Sequence, residues 1–184
     1  MAGHSHNQPV ALWRYPDDTH PAPVPNHQAS AERLCDIPGQ VQSLRLLGRL
    51  LYESKQLDTA EEAVSRALNL SLGKGNQFQV FECHHLLGLI FQSKGESEAA
   101  IDRFETALGI ASNCNLENLQ FWGHYSLARL FCDEGGFGDA YTHIEHSKSY
   151  VVNDAFKLGL AMELHAETLY WHGSRSPLPQ ILAG

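Results

Sequence analysis

The chain is short of positive charge: 13 Lys and Arg stand against 21 Asp and Glu among 184 residues, a formal net charge of −8 with histidine neutral. That balance leaves no basic stripe for nucleic acid and no cationic face for an anionic membrane surface. No apolar run reaches the roughly 18 residues that a membrane-spanning helix needs. The first residues, MAGHSHNQPVALWRYPDD, lack a basic stretch followed by an apolar one, so they do not read as a secretory signal. Cysteine is sparse too. Cys35, Cys83, Cys114 and Cys132 lie far apart with no CxxC pair, which predicts reduced thiols in an intracellular, cytoplasmic protein. No GxxxxGK[ST] stretch occurs, so a nucleotide-binding P-loop would have to lie outside this sequence.

Proline is concentrated at the ends. Pro9, Pro16, Pro21, Pro23 and Pro25 recur too often for a helix, because each lacks an N–H donor and restrains the residue before it. Residues 1–28 therefore read as a disordered, Pro- and His-rich tail. Within it, Ala11 to Tyr15 is a candidate docking motif, and His4, His6, His20 and His27 have no scaffold that would hold a metal. Ala29 to Asp36 reads as the end of a helix stopped by Pro38 and Gly39. Pro177 and Pro179 mark a second disordered tail over 174–184.

Between the tails the chain repeats itself. Gly48, Gly88 and Ala128 stand 40 residues apart, each preceded by a leucine: Leu47, Leu87 and Leu127. The same interval relates Leu51, Phe91 and Phe131, then Ala60, Ala100 and Ala140, then Val64, Phe104 and Ile144, then Ala67, Ala107 and Ser147. The stretch from Phe81 to Asn113 shows what one copy is: two amphipathic helices separated by a turn at Gly95, with Glu96 to Glu98 placing acids at the positive start of the second. Small residues in each copy let helices approach closely, and large ones fill the space between copies. Such a hairpin cannot bury its apolar face alone, so neighbours must stack on it as an α-solenoid. Gly73, Gly75, Asn113 and Asn115 mark the loops between units, and Gly95 and Gly135 the turns within them.

These columns resemble the tetratricopeptide repeat over roughly residues 41–152. The family's bulky aromatic column is weakened to Leu44, His84 and His124, and its proline after the second helix is replaced by Leu72, Ser112 and Val152. The spacing of 40 exceeds the family's usual 34 and implies longer helices or loops. The wording of the repeats, as in KGESEAAIDRFETALGIAS, is also similar to C-terminal arrays of fungal NACHT-type signalling proteins. The resemblance implies an all-α, right-handed α-solenoid of antiparallel hairpins over 29–173, with repeats at about 41–80, 81–120 and 121–158. A capping helix follows at about 155–172. In that helix Met162, His165, Ala166 and Leu169 form one stripe, and the spacing shortens, Ala166 lying 38 after Ala128.

The resemblance further implies a concave groove lined by the first helix of each pair. Carried over column by column, it is lined by Gln42, Arg45, Arg49, Tyr52 and Glu53, then Glu82, His85, Leu89, Gln92 and Ser93, then Trp122, Tyr125, Arg129, Cys132 and Asp133. The core of that set is Arg45, Arg49, Tyr52, Glu82, His85, Leu89, Trp122, Tyr125 and Arg129. Arg and aromatic side chains are the usual anchors of protein interfaces. The expected partner is a protein or peptide, with no nucleic acid, membrane, small-molecule substrate or cofactor. Arg49 and Leu89 stand where relatives that clamp chaperone C-termini carry Asn, which disfavours that ligand.

No catalytic constellation emerges. His143 and His146 share a helical face at a zinc-compatible spacing, but no acid or cysteine is fixed beside them and the other repeats carry no equivalents. His84 and His124 occupy a packing column, and Cys83 and Cys132 stand alone. The reading is a non-catalytic interaction module. The alternatives are a regulatory or sensor fragment of a larger fungal NACHT/STAND-type signalling ATPase, and a helical metal-binding protein using its histidines.

Overall fold

The computed structural model describes residues 36–72, 76–151 and 154–175, all-helical apart from turns. The seven helices among them are α1 (Ile37–Glu53), α2 (Leu57–Ser71), α3 (Gln77–Lys94), α4 (Ser97–Asn113), α5 (Glu117–Glu134), α6 (Phe137–Ser149) and α7 (Ala155–Arg175). Contact is densest within the pairs α1–α2, α3–α4 and α5–α6, and next densest between each pair and the following helix. Consecutive helices thus pack pairwise as in a helical-repeat solenoid. The expected tails over 1–28 and 174–184, the loop glycines Gly73 and Gly75, and Val152 lie wholly or largely outside the described residues.

Turn chemistry sets the hairpins. Gly95 and Gly135 take left-handed backbone, φ 79° and 80°, which costs glycine little. Gly95 N–H donates to Gln92 O at 3.0 Å and Glu96 N–H to Phe91 O at 2.9 Å, the paired closure that satisfies the last carbonyls of α3. Gly135 and Gly136 repeat it on Cys132 and Phe131 at 3.1 and 2.8 Å. The first hairpin uses the same turn with Lys55 at φ 62°, one residue without glycine's freedom.

The columns pack in space. A Cβ on Gly48 would sit 2.3 Å from Val64 Cγ2, and one on Gly88 2.5 Å from the Phe104 ring, so the backbone of each first helix rests on the large residue of its own partner. Ala60, Ala100, Ala140, Val64, Phe104 and Ile144 are all fully buried. Leu87 and Leu127 face the other way, toward the preceding pair: Leu87 clusters with Val64 and Ala67, and Leu127 with Ala100 and Phe104. α3 and α5 are therefore covered on two sides and are less amphipathic than the sequence suggests. In α1 the equivalent face has no preceding helix among the described residues, and Leu46, Leu47 and Leu50 are exposed.

The helix end expected over Ala29–Asp36 lies almost wholly outside the described residues; Pro38 and Gly39 themselves sit in the first turn of α1, where the missing proline N–H would be unpaired in any case. Two expectations are corrected. Repeat boundaries at 80/81 and 120/121 fall inside α3 and α5, which begin at Gln77 and Glu117, because the boundaries followed side-chain columns and not helix ends. In α7 the stripe Met162, Ala166 and Leu169 is exposed, and Ala161, Leu164 and Thr168 are buried instead.

Candidate functional site

The first helices α1, α3 and α5 lie side by side and leave a cleft of about 440 Å³ across them. It is lined by Arg45 and Arg49 from α1, by Phe78, Phe81, Glu82, His85, Leu86 and Leu89 from α3, and by Asn118, Leu119, Trp122, Tyr125 and Ser126 from α5. Of the core residues expected for a groove, Arg45, Arg49, Glu82, His85, Leu89, Trp122 and Tyr125 come together here. Tyr52 and Arg129 do not line it. Tyr52 accepts from Ser93 Oγ at 3.4 Å, and Arg129 lies 3.8 Å from Asp133 and 3.4 Å from Glu167. With Gln92, which donates to Asp133 at 3.0 Å, they tie the C-terminal halves of adjacent first helices together.

Phe78, Phe81, Leu86, Asn118, Leu119 and Ser126 also line the cleft but are not among the residues expected. Phe78, Asn118 and Leu119 belong to the opening turns of α3 and α5, ahead of the boundaries drawn from the repeat columns. Asn76 starts α3, its side chain accepting from Gln79 N–H at 3.3 Å; an Asn before an apolar periodic run is the signal that would have placed that start.

The polar side of the cleft is an ion pair. Arg45 Nε lies 3.1 Å from Glu82 Oε2, with the side chains only 17% and 24% exposed. The approach is misaligned for a hydrogen bond, and Arg45 Nε has no acceptor. Burial pushes the Glu82 carboxyl above its usual range, against the opposing pull of Arg45 and Arg49. Desolvation thus outweighs the pair, the ordinary result for charges taken out of water. Arg49 is freer: it pairs with Glu53 at 3.3 Å, and both side chains are well exposed.

The floor is aromatic. His85 stacks on Phe81 at 5.6 Å between ring centroids, and its Nε2 lies 2.8 Å from Ser126 Oγ on α5. Burial, helped by Arg49, holds His85 down at about 4, so it is a neutral bridge between α3 and α5 near pH 7. Trp122 sets its edge against Tyr125 and Phe121, and Tyr125 stacks on Phe121 at 5.8 Å. α3 and α5 thereby present aromatic faces beside the two guanidinium groups of α1.

Chemistry elsewhere is sparse. His124 Nδ1 lies 3.0 Å from His143 Nδ1, and its ring stacks on His146 at 5.0 Å. Burial and the neighbouring imidazoles bring His124 down to about 4. Among the described residues no group of three or more His, Cys, Asp or Glu is placed to hold a metal ion. Cys83 is buried and its thiol pushed up to about 11, the condition of an inert thiol. No described helix is long and apolar enough to cross a membrane.

Residues 39–113, which span α1 to α4, match the family model described as Tetratricopeptide repeat. That stretch carries tetratricopeptide repeats. α5 and α6 continue the same columns 40 residues on, so a third repeat follows the matched pair. No curated protein matches the chain. Tetratricopeptide repeats are in general protein–protein interaction modules and typically non-catalytic scaffolds.

Proposed function

We propose that the cleft across α1, α3 and α5 takes a peptide or helix of a partner protein, and that the chain acts as a non-catalytic interaction module. The observation that carries this is the convergence of Arg45, Arg49, Trp122 and Tyr125, from two non-adjacent helices, on one partly apolar cleft in a protein otherwise rich in acid. Trp, Tyr and Arg supply most binding hot spots, because each offers a large contact area with directional polar atoms. An apolar side chain of the partner would rest on Leu86, Leu89, Leu119 and Trp122, and an acidic group would meet Arg49. His85 would give shape and no charge.

The test is co-purification from cells with the wild type, Arg49→Ala and Trp122→Ala. Each truncation should weaken partner capture by roughly tenfold or more, the loss typical of a hot spot, while the helical circular-dichroism signal is kept. Unchanged capture by both variants would sink the assignment. The likeness of the repeats to fungal NACHT-type arrays supports a second setting, a regulatory segment of a larger signalling ATPase. A P-loop domain encoded directly upstream would support it, and its clean absence there would remove it.

A further inference from the structure

α7 stands in the register of a first helix of a pair. It begins at Ala155, 38 residues after α5, and its buried stripe Ala161, Leu164 and Thr168 lies 38 after Gly123, Ser126 and Leu130 of α5. Those three are the residues with which α5 meets the pair before it: a Cβ on Gly123 would lie 3.0 Å from Leu108, and Leu130 clusters with Phe104. Leu164 likewise clusters with Ile144 of α6. α7 thus docks on the third hairpin as α5 docks on the second.

The same interval identifies what α7 leaves open. Met162, Ala166 and Leu169 lie 38 after His124, Ala128 and Phe131, all of which α5 turns toward its own second helix: His124 and Phe131 contact His143, and Ala128 clusters with Ile144. In α7 Met162 is 57% and Leu169 56% exposed, Ala166 is exposed, and a Cβ at Gly159 would meet nothing within 4 Å. Gly173 stands 38 after the turn glycine Gly135, so α7 also carries the punctuation of a hairpin, yet the helix runs on through it to Arg175. In the sequence that follows, Pro177 and Pro179 fall in the span a second helix would take, and Leu178 stands in the column of Ala60, Ala100 and Ala140.

We infer that this face of α7 is a second docking site, separate from the cleft, for an amphipathic α-helix of a partner protein that completes the hairpin. The interface it would continue is already present three times, which specifies the occupant. It is a helix bearing a small residue, a large aliphatic four positions on, and a small one three further, as in Ala60–Val64–Ala67 and Ala140–Ile144–Ser147. The size of the central residue follows from Ala166. Glycine receives Val64 in the first pair and Phe104 in the second, where a Cβ on Gly88 would lie 2.5 Å from the ring, whereas alanine receives Ile144 in the third. Ala166, the counterpart of Ala128, therefore fits Ile better than Phe.

A fluorescent synthetic peptide of residues 97–113 carrying Phe104→Ile, titrated into the full chain by anisotropy, tests this. Saturable binding is expected, with the unmodified Phe104 peptide about tenfold weaker because overpacking is costly. Ala166→Leu, at an exposed position that leaves the fold and its melting unchanged, should weaken the Ile peptide about tenfold. Trp122→Ala should leave it unaffected, which separates this site from the cleft. The inference is overturned by absence of saturation, by equal binding to Ala166→Leu, or by a wild-type dimer in sedimentation that Met162→Glu returns to monomer, which would make a second copy the occupant.

Discussion

Phe104 shows at the residue scale how each repeat is locked. Its side chain is fully buried and lies against Gly88 in its own pair and in one cluster with Leu127 of the next. Phe104→Ala removes a wedge that serves both contacts and should cost about 3–5 kcal/mol in urea unfolding. Gly88→Ala should also destabilise, by about 1–3 kcal/mol, since its Cβ would enter the space of the ring and the ring has nowhere to go. Histidines give the second residue-scale expectation. His85 and His124 are held at about 4 in the fold, below the ordinary 6.5, chiefly by burial. Between those values the unfolded chain binds protons that the native state refuses, so stability is full above 6.5 and falls as pH drops toward 4. The unfolding free energy read from urea titrations should therefore be lower at pH 5 than at pH 7.5, by about 1–2 kcal/mol for His85. His85→Gln should flatten that dependence; an unchanged slope would mean that His85 titrates normally.

Turns and ends carry the argument at the scale of the helix. The three within-pair turns share one hydrogen-bond pattern, but the first places Lys55 at φ 62° where the others have glycine. Lys55→Gly should relieve that conformation and raise stability by about 0.5–1 kcal/mol, while Gly95→Ala should lower it by about 1 kcal/mol, both read from thermal melts. Much of this scale is legible in the sequence: Gly95 and Gly135 end their helices as expected, and the 40-residue columns place every large wedge. What escapes is the face toward the preceding pair. Its small column reads Cys83, Gly123 and Ala161, with Ser43 in α1, and four different residue types do not announce a repeat. The stripe in α7 went astray for a related reason. Met162, Ala166 and Leu169 hold the hairpin register, but burial there depends on a partner helix that the described residues do not include.

For the whole molecule, the acidic balance is answered by where the few cations sit. Arg45 and Arg49 line the cleft, and Lys94 is drawn into a knot with Asp58 at 2.8 Å, Glu61 at 2.9 Å and Glu96 at 3.7 Å, which ties the end of α3 to the start of α2 and to its own turn. Seven of the nine residues expected along a groove border the cleft. Tyr52, just beyond Arg49 on α1, bonds to Ser93 instead, and Arg129, although it shares the column of Arg49 and Leu89, is drawn to Asp133 and Glu167. Phe78 and Asn118 needed the true helix starts. The central claim, that the cleft is the working surface, is tested most directly by hydrogen–deuterium exchange on the chain alone and with the partner captured by the wild type. Binding should protect the segments 78–89 and 118–126, leaving α2, α4 and α6 unchanged. Protection confined to α2, α4 and α6, with α3 and α5 unaltered, would contradict it.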